Sequence, residues 1–289
     1  MEDTSTASDF RRPAAPLPTS FVALGDSFTE GMDDEGLGGT YVGWADRLAM
    51  LVARSGAPSG FGYANLAIRG KRAAEVLEEQ VPVAAALRPD LVSYAAGVND
   101  AMRPVFDLDH VVACEEAAVQ QLREAGAQVL LFCFGDPGRR SAVVGRLSER
   151  IRAMNSHTRR IALDYDCFVA DFWGERLFDD PRLWSPDRLH LSPLGHTRVA
   201  AGVAEALGWG DSDWREPLPT APPTPWTARR RSDIDWLRHH FGPWVVRRIR
   251  QQSSGAGIEP KLPELAPVTS GIPWWSDSSD QPEAALARP

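Results

Sequence analysis

The sequence predicts an α/β fold, a parallel five-stranded sheet with helices packed on both faces. Three observations carry that prediction. Short apolar runs alternate along the chain with longer stretches whose apolar residues recur every three or four positions, which is the order of strand and crossover helix. The runs are apolar throughout, as strands buried on both sides are. Several end abruptly in Gly, Ser, Asn or Asp, residues that turn the chain.

The first strand is Phe21 to Leu24, broken off by Gly25-Asp26-Ser27. Over 41–54, Trp44, Leu48, Leu51 and Val52 share one helical face. Tyr63 to Ile68 reads as the second strand, ending at Gly70, and 72–87 as a helix that Pro82 breaks or restarts. Asp90 to Ala96 is the third strand and terminates in Gly97-Val98-Asn99-Asp100. A helix over 109–125 carries Val112, Ala118, Val119 and Leu122 and stops at Gly126. Val129 to Phe134 is the clearest strand. A long helix follows with Val144, Leu147, Ile151 and Met154 in register, then a fifth strand from Cys167 to Phe172 and a final helix over 194–207. There is no internal repeat.

Of 289 residues, 43% are hydrophobic, enough for one sizeable core. Pro217, Pro219, Pro222, Pro223 and Pro225 follow in quick succession and mark a boundary. The expected organisation is a flexible N-terminal tail (1–18), a main domain (19–210) and an irregular Pro/Trp-rich extension (211–289) partly docked on the core. Trp214, Trp226, Trp236, Trp244, Trp274 and Trp275 are too many large aromatics for a disordered linker. Residues 229–250 hold seven arginines and two aspartates, with Ile234, Leu237 and Phe241 as an apolar stripe before Pro243. A short helix packed on the core accounts for that pattern, and so does contact with a membrane surface or a partner.

The net charge of −8 falls entirely on the first 210 residues, because the extension holds ten basic and ten acidic side chains. An acidic main domain argues against nucleic acid as a ligand. No run approaches the roughly 18 apolar residues of a membrane span, and Met1 to Pro18 lacks the apolar segment of a secretion signal. Cys114, Cys133 and Cys167 are odd in number and sit in apolar contexts, as buried free thiols do. A cytoplasmic protein is expected, and a monomer.

Ser27, Gly70 and Asn99 each lie just after a predicted strand, so the fold would bring them to one rim, where such sheets bind ligands. Singly, each has a plain structural reading. Ser27 suits a nucleophile or the cap of the next helix, Gly70 a turn, and Asn99 an Asx-type turn. The loop Ser185-Pro186-Asp187-Arg188-Leu189-His190 adds an Asp-x-x-His. There Asp187 can accept one ring N–H of His190 while the other nitrogen faces Ser27, which fixes the tautomer for proton abstraction. A helix-capping Asp beside a loop histidine is the alternative. Asp26 is read as tying its turn together, His196 as structural in the first turn of the last helix, and His157 as part of a solvated face. Gly36-Leu37-Gly38-Gly39 lacks the context of a phosphate or dinucleotide loop and reads as a flexible loop near the rim. Neither a cofactor nor a metal is expected.

Taken in order, Gly25-Asp26-Ser27, the glycine after strand two, Gly97-Val98-Asn99-Asp100 and Asp187-x-x-His190 resemble the SGNH, or GDSL-type, hydrolase family over about residues 20–208. The resemblance implies a flavodoxin-like three-layer α/β/α sandwich and a serine esterase acting on a small-molecule ester. It implies Ser27 as nucleophile, His190 as general base, Asp187 as its orienting partner, and an oxyanion hole from the Ser27 N–H, the Gly70 N–H and the Asn99 side-chain amide. Phe28 stands where the family has leucine, a change beside the nucleophile that leaves the catalytic groups intact. An acyltransferase using the same site with an alcohol acceptor, and a noncatalytic carbohydrate- or partner-binding module on this fold, are the alternatives.

Overall fold

The computed structural model describes residues 13–56, 58, 60–140, 145–210, 213–220, 255, 257–268 and 272. At its centre runs β1 (Ser20–Gly25), buried on both sides. Its side chains alternate between two cores, Phe21 and Ala23 entering one and Val22 and Leu24 the other, as the two-residue period of a strand requires. β2 (Gly62–Asn65) and β3 (Leu91–Ala95) flank it, both parallel, and β4 (Gln128–Cys133) and β5 (Phe168–Asp171) extend the sheet beyond β3.

The connections carry α1 (Ser27–Glu30), α2 (Trp44–Arg54), α3 (Ala73–Glu75), α4 (Val81–Leu87), α5 (Val98–Ala101), α6 (Leu108–Glu124), α7 (Gly145–Asp164) and α8 (Pro193–Ala206). Trp44 and Leu48 of α2 meet Val199 and Val203 of α8 in one core. Val81 of α4, Val119 and Leu122 of α6 and Ile161 of α7 fill the other. The chain steps from β1 to β2 and then returns past β1 to β3. That reversal makes the carboxyl ends of β1 and β3 the switch point of the sheet, the usual ligand position in such folds.

The sheet is mixed and has six strands rather than five parallel ones. β6 (Leu262–Pro267), from the extension expected to be irregular, pairs antiparallel with β2. Pro263 and Pro267 obscured it, since proline withholds a ladder N–H; an edge strand has one unpaired side and tolerates this. Lys261, just before β6, reaches under the sheet edge, and its ammonium donates to Glu30 O (2.7 Å), Tyr41 O (3.0 Å) and Asp46 Oδ2 (2.6 Å).

Pro82 restarts the second helical region rather than ending it, standing in the first turn of α4. The chain stays helical by inserting a π turn, Val76–Gln80, between α3 and α4, a usual adjustment where a backbone hydrogen bond is lost. The turn aims Gln80 inward, where its amide bonds both backbone groups of Gly25 at 2.9 Å. Gly25 has φ 147°, and a Cβ there would run into the Ala95 carbonyl, so only glycine fits this close approach.

Trp214 is buried with its ring edge-on to Phe172, and its Nε1 donates to Glu205 at 2.6 Å. The other five tryptophans of the extension, the arginine-rich stretch 229–250 and Val144 lie outside the described residues. Within the stretch expected to be a flexible tail, Ala15 is held by bonds from its N–H to Leu207 O (2.8 Å) and from Trp209 Nε1 to its carbonyl (2.7 Å). The three cysteines are buried free thiols. No helix among the described residues is long and apolar enough to cross a membrane.

Candidate active site

Where β1 ends, Asp26 caps α1 by accepting the Phe28 N–H at 3.1 Å, which presents Ser27 as the first helical residue at the rim. Beside it Phe28 packs on Trp44, Phe132 and Phe134 with ring centroids 5.4–5.7 Å apart. The larger side chain is thus absorbed in the aromatic core, as expected for a change that touches packing alone. The Gly36–Gly39 segment contains a 3₁₀ turn, Leu37–Gly39, closed by a bridge between Glu35 and Tyr41.

The residues 184–191 fold back as a narrow loop, with Trp184 bridged to Leu191 and the Ser185 N–H bonded to His190 O at 2.9 Å. Arg140 braces the tip from outside, stacking on Trp184 and donating to Arg188 O at 3.1 Å. Within the loop Asp187 Oδ1 accepts the backbone N–H groups of Leu189 (2.8 Å) and His190 (2.9 Å), while Oδ2 accepts from His190 Nδ1 at 2.6 Å. His190 Nε2 lies 3.0 Å from Ser27 Oγ. A carboxylate only accepts, so the proton sits on Nδ1 and a neutral His190 leaves Nε2 free to take the serine proton.

Burial disfavours charge on His190, yet its bonds to Asp187 and Asp33 outweigh burial and lift the imidazole to about 9. Burial likewise works against the Asp187 carboxylate, but the bond to His190, with those from the loop backbone, holds it below the usual range. Burial pushes the neighbouring Asp26 up to about 6 in spite of its hydrogen bonds.

Gly70 and Asn99 arrive at the same rim. The Gly70 turn is fastened by Arg69, whose backbone N–H and guanidinium both bond Glu30 of α1. Among the described residues neither the Ser27 nor the Gly70 backbone N–H has an acceptor within the chain. Asn99 differs. Its Nδ2 donates to Asp26 Oδ2 (2.7 Å) and to Lys71 O (3.0 Å), so it links the Ser27 turn to the Gly70 turn. Asp26 does tie its turn together, and Asn99 is its partner.

His196 is buried in the first turn of α8 and accepts the Trp44 N–H through Nδ1 at 3.2 Å. Burial, with Arg47 and Lys261 nearby, holds it neutral. It helps dock α2 on α8 and makes no bond to Ser27. Sequence reasoning missed Gln80, Ser185 and Asp33. Gln80 and Ser185 sit in no motif, and Asp33 is one of several acids in a loop; only the folded chain brings them to this rim.

Among the described residues, the groups that could hold a metal are Asp33, Asp187 and His190. His190 already spends both ring nitrogens on Asp187 and Ser27, which suits proton transfer better than ligation.

The sequence profile of the GDSL-like lipase/acylhydrolase family matches residues 23–198. No curated protein sequence matches the chain. Among solved structures it is similar to TesA (22% identity, TM-score 0.55, covering 65% of this chain and 97% of that one). It is also similar to LAE5, an alpha/beta hydrolase enzyme from the metagenome of Lake Arreo, Spain (22%, TM-score 0.56, 69% and 98%). A third is a catalytic mutant of Axe2, an acetylxylan esterase from Geobacillus stearothermophilus (19%, TM-score 0.55, 67% and 96%). At these identities the likeness is one of fold. The profile match spans well over half of the sequence and takes in both Ser27 and the loop of His190, and so the chain belongs to the GDSL-like lipase/acylhydrolase family.

Proposed function

We propose that this protein is a serine esterase that hydrolyses a small carboxylic ester through an acyl-enzyme on Ser27. The observation that carries the reading is the hydrogen-bonded line from Ser27 Oγ through His190 to Asp187, at 3.0 and 2.6 Å, beside the carboxyl end of β1. Neutral His190 takes the Ser27 proton as Oγ attacks the ester carbonyl, and the imidazolium then protonates the departing alcohol. Water, deprotonated by His190 in the same way, attacks the acyl-enzyme; collapse returns the proton to Ser27 and releases the acid. Asp187 orients the ring and stabilises its transient charge.

The oxyanion, in this reading, meets the N–H groups of Ser27 and Gly70 first, because neither has an acceptor among the described residues. Asn99 joins by giving up or sharing its bond to Lys71 O. Asn99→Ala should therefore lower kcat by roughly 10²–10³-fold with little change in KM, the usual cost of one oxyanion donor. A variant that keeps most of its kcat but melts earlier would make Asn99 purely a tie between the two turns.

Because only neutral His190 can act as base and its pKa is about 9, kcat/KM should climb about tenfold per pH unit from neutrality and level off above pH 9. A plateau already reached at pH 7 would contradict it. Turnover of short-chain nitrophenyl esters, with and without added alcohol, tests the reaction class. Release of the free acid is expected; transfer to alcohol in preference to water would make the protein an acyltransferase, and no turnover would favour a binding module.

A further inference from the structure

We infer that Asp33 is a second acidic partner of His190, a positioning residue that shares with Asp187 the task of holding and charging the base. The inference rests on the serine-esterase reading above. Asp33 follows α1 in the loop that leads to the 3₁₀ turn, and no motif points to it. Its Oδ2 lies 3.6 Å from His190 Nδ1, the nitrogen that Asp187 bonds at 2.6 Å. The two carboxylates are joined by the buried Ser185, whose Oγ lies 2.7 Å from Asp33 Oδ2 and 2.6 Å from Asp187 Oδ1.

One hydroxyl carries one proton and serves one of these oxygens at a time. Asp187 Oδ1 already accepts two backbone N–H groups, so the Ser185 proton is needed more by Asp33. Ser185 thereby holds Asp33 close to the ring without displacing Asp187. The backbone at Asp33 bears out the constraint: it adopts φ 70°, a conformation that costs most L-residues energy and that Asp and Asn bear best.

The charged groups around the ring come from every element packed on it. Asp187 faces it from its own loop, Asp33 from the loop after α1, and Asp26 from the end of β1; Arg140 lies behind the loop tip, and neutral His196 on α8. Two carboxylates within 4 Å of one imidazole stabilise its charged form more than one does. The same pair stabilises the imidazolium that forms as Ser27 attacks. Asp33 also offers the ring an acceptor when Asp187 is removed.

Asp33→Asn tests this, since asparagine keeps φ 70° and can still accept from Ser185. The low-pH limb of kcat/KM should move down by about one pH unit, with the plateau falling by less than about tenfold. The His190 ring proton, followed by NMR and assigned with His190→Ala, should titrate lower by the same shift without any substrate present. Asp187→Ala should cost at least about tenfold more activity in the Asp33→Asn background than in the wild type. A limb and a ring titration that stay in place, with the two losses simply multiplying, would overturn the inference even if Ser27→Ala is inactive. An active Ser27→Ala would instead remove the esterase reading, and this inference with it.

Discussion

Ser27→Ala is expected to lower kcat/KM for a nitrophenyl ester by about 10³-fold or more while the protein remains folded. Hydroxyls are weak nucleophiles, and Ser27 Oγ is the one that His190 Nε2 approaches, at 3.0 Å. Alanine at the first position of α1 loses that hydroxyl and nothing the fold uses: Asp26 supplies the cap, Gln80 secures Gly25, and helix propensity favours alanine. The melting temperature should stay close to that of the wild type. His190→Ala should fall comparably and Asp187→Ala less, because a partner that orients the ring moves no proton. Wild-type turnover by purified Ser27→Ala would end the assignment, and greater damage from His196→Ala than from His190→Ala would mean the wrong base.

Lys261→Met is expected to destabilise the fold by about 3–5 kcal/mol, the usual cost of stripping one partner from a buried ion pair. The ammonium has three donors, and each has an acceptor: Glu30 O, Tyr41 O and Asp46 Oδ2. Methionine fills the space but leaves Asp46, fully buried, with the Gly43 N–H and the Tyr63 hydroxyl as its remaining donors among the described residues, at 2.7 and 3.3 Å. It also frees two carbonyls in the segment 30–41 that borders the Ser27 rim. A thermal melt should show a fall on the order of 10 °C. Adding Asp46→Asn should recover part of the loss, because the stranded charge is then gone. If Lys261→Met melts like the wild type, the extension is not tied to the core by this lysine. The effect would come from beyond the residues that match the family, 23–198, so a core cut back to that span would be missing a buried cation.

The five parallel strands were legible because burial on both faces selects uninterrupted apolar runs, and the helices because one buried face repeats every three to four residues. Ser27, Gly70 and Asn99 of the candidate site were legible for a related reason: a sheet rim draws its groups from strand ends, and strand ends announce themselves in glycine and small polar residues; the Asp187–His190 pair was legible by its Asp-x-x-His spacing instead. Phe28 shows the limit on the same stretch. The sequence marks it as a departure, and only its three aromatic neighbours show where the larger ring goes.

What lay outside the sequence shares one property, that its contacts are distant along the chain. β6 reads as a proline-broken tail until β2 offers it an edge. Gln80 is an unremarked helix residue until the π turn faces it to Gly25, and Lys261 an isolated cation until Asp46 is beneath it. Asp33 and Ser185 are loop residues until the two loops meet at His190. Composition and periodicity, then, determined the five parallel strands, their covering helices and the candidate groups at the rim, since each of these is encoded by neighbours along the chain. Tertiary structure alone decided which polar groups are buried together, because a buried charge or amide is stabilised by whichever partner the packed fold delivers to it, however far away that partner lies in sequence.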